Sequence, residues 1–161
     1  MQIERRVSQG ASARLSFGEL VTAELFLLWA IRERLASGAG SPHLVGAFRR
    51  VFGLAAVEDV LAAFERSYTV LTVHLTRTAR LLSPTSVAIT RDELLLLHAF
   101  AALQKGRGAH GQAIAQTLVG PVWACALCQS MRELGSFMTE RRLNLRLRGL
   151  ATLAWSRATR H

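Results

Sequence analysis

Residues 57–82, VEDVLAAFERSYTVLTVHLTRTARLL, decide the fold. Val57, Val60, Leu61, Phe64, Tyr68, Leu71, Leu75, Ala79 and Leu82 recur every three or four positions. That spacing places them on one face of a coil with 3.6 residues per turn, so the stretch predicts a long amphipathic helix. Within it, Leu71, Val73 and Leu75 alternate with Thr72, His74 and Thr76, a strand-like period of two. The alternation is short and lies inside the longer helical pattern, so the helical reading prevails. Ser83-Pro84 ends it, because proline disfavours helical backbone in the residue before it.

Working outward, the next segment opens on Thr90-Arg91-Asp92-Glu93, a capping box in which the Thr90 hydroxyl and the Glu93 carboxylate each satisfy a free backbone N–H. Behind it, Leu94, Leu95, Leu96, Leu97, Phe100 and Leu103 surround the helix almost completely. A helix apolar on all sides belongs in the middle of a bundle. Toward the N-terminus, Ser16-Phe17-Gly18-Glu19 reads as another capping box. It opens a helix to about Ser37, which Gly38 and Gly40 stop. Ser41-Pro42 starts a short helix over His43–Phe52, ended by Gly53. After the glycine-rich 105–111 loop, a short helix runs from Gln112 to Leu118. Pro121 then opens a longer one with Trp123, Leu127, Leu134 and Met138 on one face.

These readings predict an all-α, single-domain bundle of five to seven helices around the hydrophobic helix Leu94–Leu103, with helices 17–37 and 57–82 packed on it. Residues 1–15 form a polar arm, and 16–161 one domain with a basic C-terminal segment, 141–161. Near 142–148, Leu143, Leu145 and Leu147 alternate with Asn144, Arg146 and Arg148, which leaves that segment open between a short strand and a frayed helical end.

Composition bounds the function classes. The chain has 161 residues, one domain's worth, and its 50 % hydrophobic fraction is too high for a disordered chain. A mean hydropathy of +0.24 leaves apolar surface to be covered by a partner, a second copy or an apolar ligand. The formal charge is +9, carried by arginine with Lys105 the one lysine, which favours anionic partners. An arginine skew of this kind also follows from genomic base composition. Two cysteines do not make a disulfide framework. The sequence offers neither a convincing secretory signal nor a run approaching a membrane span, so a cytoplasmic location is expected. There is no GxGxxG, phosphate-binding loop or HExxH, and Asp59 and Asp92 are the only aspartates, too few for a carboxylate-bridged di-metal bundle.

Four groups of residues can carry chemistry. Cys125 and Cys128 lie one helical turn apart with Arg132 a turn further on, and a nearby guanidinium favours thiolate. As a metal site the pair needs further ligands, His110 being the nearest in sequence. Alternatively, both are small buried hydrophobes. His98, inside the apolar helix, is a neutral ligand or base, or a core histidine with one partner. Glu24 falls in the middle of the first helix's apolar face, where a carboxylate needs a cation or donors, and Glu24 with His98 is the one acid–base pair the pattern offers. The segment from Arg141 to His161 holds Arg141, Arg142, Arg146, Arg148, Arg157 and Arg160 with Trp155 and no acid, suited to phosphate contacts and base stacking, or else a solvated chain end. Gln112–Met131 resembles helix-turn-helix only in outline, because Val122–Leu127 is too apolar to read base edges.

The expected function is a non-enzymatic binding or regulatory protein that contacts an anionic partner, nucleic acid first, through the arginine-rich C-terminal segment. The alternatives are a metal- or redox-responsive protein using Cys125 and Cys128, and a helical pocket for an apolar ligand. A protein partner or a homo-oligomer is expected as well.

Overall fold

A computed structural model describes residues 17–148. It is all-helical: a 3-10 turn at Phe17–Glu19, then α1 (Thr22–Ser37), α2 (Pro42–Phe52), α3 (Val57–His74), α4 (Arg91–Gln104) and α5 (Gly108–Glu140). The long α5 packs along both α3 and α4, while α1 leans on α4 and α2, and α2 on α3. Every residue from Leu96 to Leu103 is buried, as an all-apolar helix requires. The expected polar arm, residues 1–15, lies outside the described residues, as do Trp155, Arg157 and Arg160.

Helix α3 stops at His74, eight residues short of the expected end. Residues 75–90 instead form an extended strap whose backbone groups find partners off the helix. The Thr76 N–H donates to Leu118 O at 2.9 Å. The Arg80 N–H donates to Asp92 Oδ2 at 2.8 Å and the Leu82 N–H to Glu93 Oε1 at 2.9 Å. Two acids in the first turn of α4 thus compete successfully for donors that a longer α3 would have used. As a consequence α3 packs chiefly on α5, not on α4 as the sequence reading had it.

The start of α1 also differs from expectation. Phe17–Glu19 is a separate turn whose Phe17 N–H reaches Val87 O of the strap, and the helix proper begins at Thr22. Glu24 then closes the first turn, accepting from the Val21 N–H at 3.0 Å. By contrast, Ser41-Pro42 and Gly53 bound α2 as read from the sequence, and Gly53 adopts φ +84°.

Gly120, at φ +80°, breaks α5 into two parts, and Pro121 opens the second. By length and composition α5 is the one described helix apolar enough to cross a membrane, with 44 % of its most apolar window buried inside the bundle. Its buried side carries Ala124, Leu127, Cys128, Met131, Leu134 and Met138. Trp123, expected on that face, is rotated out and stacks on His74 with 3.6 Å between ring centres.

Gly111 marks a close approach of α5 to α4, because a Cβ there would stand 2.6 Å from Leu103 Cγ and Cδ2. Gly111→Ala is expected to lower stability by about 1–3 kcal/mol through overpacking, measured as a lower urea midpoint with an unchanged slope.

After α5 the chain reverses through Arg142, at φ +58°. The Leu143 N–H bonds Met138 O and the Arg142 N–H bonds Thr139 O, the paired bonds of a Schellman turn with arginine in the left-handed position. The chain then runs back along the end of α4. Here Gln104 Nε2 donates to Leu143 O at 2.8 Å and Gln104 Oε1 accepts from the Leu145 N–H at 2.7 Å. A single side-chain amide thereby supplies the bonds that a neighbouring strand would. Leu145 is buried while Asn144 and Arg146 face water, so the period of two is present. Segment 143–148 is neither of the expected alternatives: it is extended, but among the described residues no second strand pairs with it, and it forms no sheet.

Candidate functional site: buried ion pairs

The interior holds two charged constellations. The first joins α1, the strap and α4. Arg32 Nε and Nη2 donate to Glu93 Oε1 and Oε2 at 2.7 and 2.8 Å, and both side chains are 0 % exposed. The remaining guanidinium donors reach Ser86 O and Ala88 O, each at 2.7 Å. The Thr90 N–H adds a bond to Glu93 Oε2 at 2.8 Å. Every guanidinium nitrogen and both carboxylate oxygens of the pair are therefore engaged, which helps a buried ion pair offset its lost hydration. Beside it, Arg77 pairs with Asp92.

Sequence reasoning identified Glu93 as a capping residue but missed Arg32. The signal was present: Arg32 lies four residues after Leu28 and three before Leu35, on the same apolar stripe that drew attention to Glu24.

The second constellation lies between α1, α4, α5 and the C-terminal segment. Glu24 and His98, singled out as a candidate pair, are both buried, but they take different partners. Glu24 Oε2 accepts from Arg148 Nη2 at 2.6 Å. His98 Nε2 lies 2.7 Å from His110 Nε2, the rings edge to face. One proton lies between these two nitrogens. His98 Nδ1 has no hydrogen-bond partner among the described residues. Burial pushes the His98 pKa below 6.5, and His110 and then Arg148 push it further in the same direction.

The cysteine candidates are not brought together with His110. Cys125 is exposed and Cys128 buried, both as free thiols, and His110 is engaged with His98. Among the described residues no three His, Cys, Asp or Glu side chains are grouped to hold a metal ion. Burial raises the Cys128 pKa and outweighs the opposing pull of Arg132, so the guanidinium does not make a reactive thiolate of it. An open groove of about 460 Å³ runs between α3 and α5, its lining including Glu65, Arg66, Val70, Ala126, Ser130 and Glu133.

On the surface, Arg141 donates to Phe52 O at the C-terminal end of α2, where a cation is favoured by the helix dipole. This places it beside the last turn of α2, which carries the exposed Arg49 and Arg50. Arg142 and Arg146 are exposed on the returning chain, whereas Arg148 turns inward to Glu24.

Fold and site together define a small all-α bundle, stapled internally by ion pairs. In comparisons with protein-family models, with curated proteins and with solved structures, the chain has no significant match in any of the three.

Proposed function

We propose that this chain is a non-enzymatic binding module for an anionic partner, with nucleic acid the first choice. The observation that carries the reading is the distribution of charge. Five carboxylates, those of Glu24, Glu65, Asp92, Glu93 and Glu133, are each committed to an arginine in an ion pair. Arg49, Arg50, Arg142 and Arg146 remain exposed, with Arg141 docked beside the first two, and they outnumber Glu58, Asp59 and Glu140, the exposed acids nearest to them in sequence. Clustered arginines of this kind neutralise phosphates and release condensed counterions.

Removing residues 141–161 is a poor test, because it strips the buried Leu145 and the Arg148–Glu24 pair from the bundle. Point substitutions are better. Fluorescence anisotropy of labelled single- and double-stranded oligonucleotides is expected to show affinity falling steeply between 50 and 200 mM salt. The combined variant Arg49→Gln, Arg50→Gln, Arg142→Gln, Arg146→Gln is expected to bind more weakly and to lose about 0.7–0.9 of log–log salt slope for each phosphate contact removed. Equal binding and an equal slope in the two proteins overturn the reading.

A further inference from the structure

We propose that the exposed face shared by α3 and α5 is where two copies of this chain join, two helices from each forming a four-helix contact. The inference goes beyond the anion-binding reading and does not rest on it.

Both helices carry a second packing seam that the bundle leaves open. On α3, Ala62, Arg66, Thr69 and Val73 are exposed, at spacings of four, three and four residues. On α5, Val122, Ala126, Gln129 and Glu133 are exposed at the same spacings. That rhythm is the seam of one helix packed along another. The chain's own core takes different residues of these helices, such as Phe64 and Leu71 of α3 and Leu127 and Met131 of α5. The two helices run antiparallel, with Arg66 against Glu133 at 2.5 Å and His74 against Trp123 further along. The groove between them includes Ala126 and Ser130, small side chains that let a third helix approach closely.

The open seams are apolar at one end. Val73 is 61 % exposed, Val122 80 % and Trp123 42 %. The stacking of His74 on Trp123 brings Val73 and Val122, their neighbours in the chain, to the same end of the groove. Single exposed apolar residues are ordinary, but a contiguous group beside a groove marks an interaction surface.

Charge selects the occupant. The whole chain carries +9, so two copies repel except where their surfaces are neutral. From Ser67 to His74 on α3, and from Pro121 to Met131 on α5, there is no Lys, Arg, Asp or Glu. The two charges on the seams, Arg66 and Glu133, cancel each other. Glu65 in the groove lining is paired with Arg34, and the Arg132 guanidinium lies beside Gly108 at the start of α5. An acidic protein or an anionic headgroup therefore finds no surplus positive charge here, whereas a second copy finds a face matched to its own. A two-fold contact requires such self-complementarity. With the axis between two copies of the ion pair, each Arg66 reaches Glu133 of the partner subunit as well as its own, and the four charges alternate in sign.

The size is adequate. At 1.5 Å per residue the 18 residues of α3 span about 27 Å, and two adjacent helices are about 20 Å wide. The projected face is then about 540 Å², and its relief raises the accessible area toward the ~800 Å² per partner of a standard interface. A dissociation constant of ~1–10 μM is expected for such a contact. Mass action at ~10 μM protein then moves thermal unfolding by only a few degrees.

Sedimentation velocity on the full, nuclease-treated chain from ~1 to ~100 μM tests the proposal, the range bracketing the expected constant. A reversible monomer–dimer equilibrium is expected. Arg66→Glu places four acids around the axis and Glu133→Arg four cations, so each variant alone should self-associate at least ~10-fold more weakly. An equimolar mixture of the two should recover association, because each introduced charge then meets its opposite on the other copy. Both positions are exposed, and circular dichroism checks that the variants keep the parent's helical signal. Ala126→Arg, which fills the groove, is a second variant and should also be monomeric. A parent chain that stays monomeric at ~100 μM overturns the proposal. So does a dimer indifferent to all three substitutions, or a mixture that associates no better than its components. A monomer that floats with neutral phosphatidylcholine vesicles gives the face to lipid and overturns it as well. Nucleic acid takes no part, so failure to bind oligonucleotides would leave a dimer standing.

Discussion

Glu93→Ala is expected to destabilise the bundle by about 3–5 kcal/mol, a large part of the 5–15 kcal/mol typical of a whole domain. The substitution leaves Arg32 fully charged, 0 % exposed and without its counter-ion. It also removes the acceptor for the Leu82 and Thr90 N–H groups, which pin the two ends of the strap's last stretch. Ser86 O and Ala88 O stay on the guanidinium but carry no full charge. Urea unfolding followed by circular dichroism should show the midpoint falling by more than about 1 M, given slopes of 1–3 kcal/mol per molar urea. The double variant Arg32→Met, Glu93→Leu should be less destabilised than Glu93→Ala, since no charge is stranded. It should still fall short of the parent, because four backbone groups of the strap lose partners. A Glu93→Ala protein with an unchanged midpoint would show that the pair does not fasten the strap.

That pair also marks the limit of what was legible in the sequence. Periodicity found the buried faces of α1, α3 and α4, because a stripe of leucine and phenylalanine has one physical use. Ser41-Pro42, Gly53 and Pro121 bounded helices as expected, since their backbone preferences are local. The end of α3 was not legible. Leu75, Ala79 and Leu82 continue the helical spacing, but the donors of residues 80 and 82 are taken by Asp92 and Glu93, acids ten or more positions away. The Thr90–Glu93 box was read correctly, and Glu93 then proved to serve three elements at once. At the C-terminus the alternation of Leu143, Leu145 and Leu147 did signal extended chain, but its partner is one glutamine side chain, which no sheet-pairing rule anticipates.

The candidate site divides in the same way. Glu24 and His98 stood out as polar residues in apolar surroundings, and both are buried. Their partners, Arg148 and His110, are 124 and 12 residues away in the chain and carry no local signature. Long-range ion pairs depend on how helices are set against one another, which composition and spacing do not encode. Arg148 illustrates the cost of reading charge by count: it belongs to the densest basic run in the sequence, yet its charge is committed inside.

Placing an aspartate at two apolar positions tests the architecture most directly. Leu97→Asp is expected to abolish cooperative folding. Leu97 is 3 % exposed in a helix buried throughout from Leu96 to Leu103, and Glu93 stands one turn before it on the same helix. The new carboxylate therefore enters an apolar interior beside an existing anion, whose own counter-ion, Arg32, is already bonded to Glu93, Ser86 and Ala88. Loss of the leucine alone costs about 2–5 kcal/mol, and stranding a charge adds to it, which together consume the stability of an ordinary domain. Circular dichroism should show most of the helical signal gone, without a thermal transition. Val122→Asp should leave the melting temperature within a few degrees of the parent. Val122 is 80 % exposed and sits in the first turn after the Gly120 break, where a negative charge is favoured by the helix dipole. If both variants fold alike, Leu97 does not lie in a packed interior.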